Sequence, residues 1–244
     1  MRILLVSDLH YTLKQLDWIL ANAGDFDVVV LAGDHLDIVS SVPADAQIVA
    51  VRTTIAHLAD RVRVVMCSGN HDLNALDEAG EKTADWLVPL RARSAAVDGD
   101  SVTIDSTTFT VVGWWDGPVA RAAAEEQLER AARERSSRWV WAYHSPPEGL
   151  LSWTGSRHFG DPVLLEWVDR WNPDLVLTGH IHQSPFTSEG SWIDHVGSTW
   201  FFNAGKQIGA VPARIEIDLD GGAARWVSLA GVEDRRFDLR VAAQ

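Results

Sequence analysis

Five short apolar runs, each broken off by a polar cluster, constrain this chain more than any other feature of its sequence. The runs are Ile3 to Val6, Val28 to Leu31, Val62 to Met66, Trp139 to Ala142 and Leu175 to Leu177. They are mostly β-branched and alternate little, which is the pattern of strands buried on both faces. Helical periodicity fills the intervals over Leu13 to Ala23, Ala46 to Asp60, Lys82 to Arg91 and Pro162 to Trp171, the last opened by Asp161 ahead of Pro162. This strand and helix alternation predicts an α/β fold. Ser101 to Ile104 and Phe109 to Gly113 flank the turn-prone Asp105-Ser106-Thr107 and read as a hairpin. Beyond Gly190 the runs Ser191 to Asp194, Thr199 to Asn203, Ala213 to Leu219 and Ala224 to Leu229 are separated by Gly, Pro and Asp-Gly-Gly signals. They predict an antiparallel meander and a second sheet.

The segment from Arg121 to Arg138 reads as an exposed structural helix, with Glu126–Arg130 and Glu129–Arg133 at ion-pair spacing. No repeat, linker or abrupt shift in composition divides the 244 residues, so a single domain spanning 1–244 is expected. A net charge of −13 repels a phosphate backbone and argues against general nucleic-acid binding. The lone cysteine, Cys67, cannot form an intrachain disulfide, and a reducing cytoplasm is expected. Apolar runs of four to six residues are too short for a membrane span, and the N-terminal run is too short for a signal peptide.

The chemistry collects where the apolar runs stop. Asp8-Leu9-His10 follows the first, Gly33-Asp34 the second, Gly69-Asn70-His71-Asp72 the third, His144 the fourth and Gly179-His180-Ile181-His182 the fifth. In an α/β sheet the carboxyl ends of parallel strands open on one crevice, so these clusters should converge. With Asp72 set aside as a brace, they supply two carboxylates, one amide and five imidazoles. Such oxygen and nitrogen donors suit borderline divalent ions, and eight of them suit two ions sharing a bridging carboxylate better than one tetrahedral ion. Two such ions can polarise a phosphoryl oxygen and acidify a bridging water.

These blocks resemble the calcineurin-like metallophosphoesterases, whose pattern is D-x-H, G-D-x-x-D, G-N-H-D/E, a lone His and G-H-x-H. The matching residues are Asp8-Leu9-His10, Gly33-Asp34-His35-Leu36-Asp37, Gly69-Asn70-His71-Asp72, His144 and Gly179-His180-Ile181-His182, all in order. The resemblance implies two mixed β-sheets packed face to face with helices outside, a four-layer sandwich. It implies that Asp8, His10 and His182 hold one divalent ion, that Asn70, His144 and His180 hold a second, and that Asp34 bridges them. Asn70 would also hold the phosphate, and His71, free of metal, would protonate the leaving group while a bridging hydroxide attacks phosphorus. The donors permit Mn, Fe, Zn, Co or Ni, with Mn the default.

The expected substrate is a small phosphate ester, a phosphodiester in the first instance. A nuclease acting on nucleic-acid ends and a non-catalytic interaction scaffold are the rival readings. Asp37 and Asp72 are expected to brace ligands or turns rather than coordinate. His35 is left open between facing substrate and pointing away. Trp114 and Trp115 could stack on substrate or simply pack, and Arg157 or His158 could meet a phosphate. Asn203-Ala204-Gly205-Lys206 reads as a tight turn, while His57 and His195 read as ordinary polar residues. About seventy residues between His71 and His144 leave no room for a large cap, so an open crevice is expected. The oligomeric state is not legible.

Overall fold

The computed structural model describes residues 1–239. Its first sheet takes β1 (Arg2–Val6), β2 (Val28–Ala32) and β3 (Arg63–Cys67), then passes a two-residue ribbon, β4 (Ala75–Leu76) with β5 (Lys82–Thr83), to reach β6 (Ala95–Val97). The second sheet holds β7 (Ser101–Ile104), β8 (Thr107–Val111), β9 (Arg138–Ala142), β10 (Leu175–Thr178), β11 (Ile193–Val196) and β12 (Thr199–Asn203). The chain then returns to the first sheet as β13 (Arg214–Asp218), β14 (Ala223–Ser228) and β15 (Gly231–Arg236). The resulting orders are β15-β14-β13-β1-β2-β3-β6 and β11-β12-β10-β9-β8-β7. Both sheets are mixed. β1, β2, β3 and β6 run parallel, as do β8, β9, β10 and β12, while the outer strands are antiparallel.

Pleating explains why the apolar runs need cover on both faces. Ile3 and Leu5 point between the sheets and meet Val28, Val65, Phe109, Val140, Leu177 and Phe202 in the central core. Leu4 and Val6 point the other way, onto Leu16 and Ile19 of α1 (Leu13–Asn22) and Val51 and Ile55 of α2 (Ala44–Ala59). The second sheet repeats the arrangement. Trp139, Trp141 and Phe201 face Leu128 of α3 (Pro118–Glu134) and Leu164 and Trp167 of α4 (Pro162–Trp171). The layers are therefore helix, sheet, sheet, helix, as the family resemblance implied.

Four local expectations are corrected. Lys82 to Arg91 is not an α-helix: Lys82–Thr83 pairs with Ala75–Leu76, and Asp85–Arg93 forms a 3₁₀ helix containing Pro89. Pro89 offers no N–H and would clash with the preceding turn of an α-helix. The C-terminal strands do not form one meander. β12 lies parallel to β10 in the second sheet, and β13 to β15 extend the first sheet. There Ile215 and Ile217 join the central core beside Ile3 and Leu5. The hairpin turns on Asp105 and Ser106 alone, with Ile104 opposite Thr107 and Asp105 at φ 52°. On α3 Arg121 pairs with Glu125 (2.9 Å) and Glu129 with Arg133 (3.1 Å), whereas Glu126–Arg130 is absent from the ion pairs of the described residues. Ala124, Gln127, Leu128 and Ala131 form its buried stripe. Exposed charged pairs of this kind contribute little, so packing of that stripe sets the helix in place.

One half-buried carboxylate stands where the two sheets meet. Asp98, just past β6, accepts the Ser68 N–H (2.8 Å), and a Cβ on Gly113 would lie 2.8 Å from its carboxyl carbon. Desolvation pushes this carboxyl up to about 6. The folded state thus binds the proton more tightly than the unfolded chain, and stability is lost as pH rises from the ordinary carboxylate value through 6. Asp98→Asn should therefore match the parent at about pH 4 and gain stability relative to it by about pH 7. Thermal unfolding of both proteins at the two pH values checks this, and a constant difference would refute it. Phe109→Ala, at the centre of the core, should cost about 3 to 5 kcal/mol by denaturant titration.

Candidate metal centre

Every predicted site residue lies just past the carboxyl end of β1, β2, β3, β9 or β10, strands that share one direction within their sheets. Facing of the two sheets turns five strand ends into one crevice. The loops after β1 and β2 interlock through main-chain bonds from Asp8 N to Gly33 O (3.0 Å), His10 N to Asp34 O (2.9 Å) and Tyr11 N to His35 O (2.8 Å). Asp8, His10, Asp34 and His180 all adopt positive φ, at 55°, 41°, 54° and 70°. Backbone strain of this kind persists only where surrounding contacts enforce it. Two glycines allow the close approach. A Cβ on Gly33 would lie 2.2 Å from His144 Nδ1, and one on Gly69 would lie 2.3 Å from Asp34 Oδ1.

The donors fall into overlapping groups. Asp8, His10, Asp34 and His182 each place a ligand-capable atom within 4.8 Å of the others, and so do Asp34, His144 and His180. Asp34 is common to both groups. Its Oδ2 lies 3.6 Å from His10 Nε2 and 3.3 Å from His144 Nε2, and Asp8 Oδ1 lies 3.2 Å from His182 Nε2. His10 Nε2 and His182 Nε2 approach to 3.1 Å. Asn70 Oδ1 and His144 Nε2 are among the buried atoms without a hydrogen-bond partner. A buried polar atom left without a partner is costly, and a cation would satisfy both. His144 Nδ1 donates to the Ala32 carbonyl (2.6 Å), which orients the ring and leaves Nε2 directed at Asp34.

Charge balance fits the same reading. Burial alone would raise the Asp8 and Asp34 carboxyls, but the adjacent imidazoles and the His71 N–H hold both below the usual carboxylate range. Burial takes His10 and His180 down to about 4, so their lone pairs are free at neutral pH. His144 is likewise penalised by burial, yet the Asp34 carboxylate lifts it to about 9. Two anions and the free lone pairs of His10 and His180 packed this closely form a site for cations, and the donor chemistry fits two divalent ions.

The supporting residues resolve the questions left by the sequence. His35 turns away from the crevice: it is buried, and its Nε2 donates to the Cys67 carbonyl (2.8 Å). Asp72 is a brace, accepting from His35 N (2.9 Å), Leu36 N (3.0 Å) and Gly69 N (2.8 Å). Asp37 groups instead with His10 and His71. Backbone N–H of His71 donates to Asp34 Oδ1 (2.9 Å), while its ring stands edge-on to His10 at 4.5 Å. Trp114 packs its ring against His144 (5.7 Å) and His180 (5.2 Å), and its backbone N–H donates to Ser68 Oγ (2.9 Å). Trp115 belongs to the fold, donating to the Tyr143 hydroxyl (3.0 Å). His158 bonds the Gly149 carbonyl of its own loop (2.8 Å), and Arg157 stacks on Phe159, whose ring is 5.8 Å from His180. Sequence reasoning missed Phe159, Ser68 and Asp98, which carry no motif signal. Among the described residues no helix is long and apolar enough to cross a membrane.

Comparison with known proteins follows the same lines. A dimetal phosphatase from Danio rerio superposes with a TM-score of 0.65 at 11% identity, covering 98% of this chain and 99% of that one. TT1561 of Thermus thermophilus superposes at 0.59 with 15% identity, covering 96% and 98%. GAP50 of Plasmodium, described as the anchor in the inner membrane complex, superposes at 0.58 with 11% identity, covering 99% and 89%. At these identities the likeness is one of fold. No curated protein matches the chain by sequence. The calcineurin-like phosphoesterase family model matches residues 1–184, which takes in all five polar blocks, and the chain belongs to that family.

Proposed function

We propose that this chain is a phosphoesterase using two divalent ions, with Mn as the default metal and a small phosphodiester as the substrate. One observation carries the reading: Asp34 is shared by two donor groups, beside the orphaned Asn70 Oδ1 and His144 Nε2. Asp8, His10 and His182 would hold one ion and Asn70, His144 and His180 the other, with Asp34 between them. When bound, such ions polarise a phosphoryl oxygen and acidify the water that attacks phosphorus. The remaining work falls to the protein. Asn70 positions the phosphate, and the half-buried His71 donates a proton to the departing oxygen opposite the attack. Its Nε2 lies 3.9 Å from Asp34 Oδ2, close enough to the donor groups for that role. A single domain with an open crevice suits a small substrate, and the acidic surface disfavours long nucleic acid.

Replacing the shared carboxylate is the sharpest test. Asp34→Asn should release at least one of two bound Mn ions, measured by elemental analysis after desalting, and abolish turnover of bis-p-nitrophenyl phosphate. Full activity in that variant would end the proposal. His71→Ala should keep both ions and lose about 10²- to 10⁴-fold in kcat on an alkyl phosphodiester. The loss on bis-p-nitrophenyl phosphate should be much smaller, because p-nitrophenolate needs little protonation to leave. Equal losses on the two esters would remove His71 from the role of proton donor.

A further inference from the structure

The C-terminal turn contributes a charge that no family block contains. Asn203 anchors it: the side-chain amide donates to the carbonyls of Ile181 (3.0 Å) and Leu151 (3.3 Å), and Oδ1 accepts from Gly205 N (2.8 Å). Gly205, at φ 69°, packs so tightly that a Cβ would lie 2.9 Å from the His182 carbonyl. Lys206 N then donates to that same carbonyl (3.3 Å). On the far side Gln15, buried in α1, donates to the carbonyls of Gln207 (2.9 Å) and Gly209 (3.2 Å). The segment is thus clamped against the loop that carries His180 and His182 and against the start of α1. Lys206 is held next to the donor group of Asp8, His10, Asp34 and His182.

Its ammonium is half-buried and, among the described residues, makes no hydrogen bond or ion pair. The charges acting on it are the carboxylates of Asp8, Asp37 and Asp34, and burial lowers its proton affinity. A half-buried ammonium without a partner loses hydration with no bond in return. An anion entering the crevice would supply that bond. Lysine is a compact point charge with three donors on a flexible stem, which suits a phosphoryl oxygen approaching from more than one direction.

We infer that Lys206 is a phosphate-binding residue, contacting a non-bridging oxygen of the substrate phosphoryl group on the side of His10 and His182. The inference rests on the phosphoesterase reading for the identity of the anion. Lys206 would meet the phosphoryl oxygen in the ground state and the transition state alike, so its loss acts on binding more than on the chemical step.

Calorimetric titration of inorganic phosphate into the Mn-loaded protein tests this independently of turnover. Lys206→Met and Lys206→Gln should each weaken phosphate binding about tenfold or more, whereas Lys206→Arg should stay within about threefold of the parent. Metal content and melting temperature should not change in the three variants. With bis-p-nitrophenyl phosphate the Met and Gln variants should raise KM by a similar factor and leave kcat within about threefold. Unchanged phosphate affinity in either neutral variant would overturn the assignment even if esterase activity is intact. Weakened phosphate binding in a protein that hydrolyses no ester would keep Lys206 as an anion contact and overturn the phosphoesterase reading instead. A fall in kcat at constant KM would show that Lys206 positions His182 rather than binding the anion.

Discussion

Two carboxylates, Asp8 and Asp34, are fully enclosed where strands from two facing sheets come to an end, and much of the structure follows from keeping them ionised there. An isolated buried carboxylate would take up a proton. Here His144, His182 and the His71 N–H hold them as anions, and those partners come from three other strands. The compensation is therefore long-range: it exists only when β3, β9 and β10 are docked on β1 and β2. Cation binding would extend the same logic, because ions seated between these groups would bind the folded chain alone and stabilise it by mass action.

This arrangement also accounts for the backbone. Side chains reach a common point from five loops only if each loop turns sharply as its strand ends, and four of the seven expected ligands sit at positive φ. The cost is met by rigid supports on either side. Central apolar packing fixes the strands, while Asp72, Asp98 and Asn203 each bind main-chain groups of a neighbouring segment, so the loops have little freedom to relax. Such braces differ from ligands in what their loss would do: they set where a donor stands, not whether it is present.

Much of this was legible because the strands and the site share one signal. An apolar run covered on both faces must end abruptly, and Asp8, Asp34, Asn70, His144 and His180 mark those ends, so periodicity located the donor groups and the sheets together. What escaped the sequence was decided by tertiary context. Ala95–Val97 is short and Ala-rich, and Gly231–Arg236 is a charged edge strand of the kind that resists further pairing, so neither carries a strand signature. The strands after Gly190 alternate correctly, but alternation does not say which of two sheets they join. His35 shows the same gap at the site: it adjoins Asp34 in sequence, yet its ring is directed to Cys67 O by a loop whose path depends on Asp72.

Trp114 and Lys206 lie at opposite sides of the donor groups and differ in why sequence alone could not assign them. A tryptophan pair beside a crevice suggests stacking on a ligand, but the ring of Trp114 is already engaged by His144 and His180. An aromatic ring packed at an angle against two imidazoles shields them from water and restricts their rotation, which favours a lone pair fixed in one direction over one that samples many. Lys206 is the opposite case. Its turn looked structural, and Asn203 does make it so, yet the same turn carries a half-buried cation that feels the carboxylates of Asp8, Asp37 and Asp34. A charge held there by local structure, with no hydrogen bond or ion pair among the described residues, gains most when an anion arrives. The side of the crevice near His10 and His182 is therefore poised for charge recognition, and the side near His144 and His180 is walled by Trp114 and Phe159.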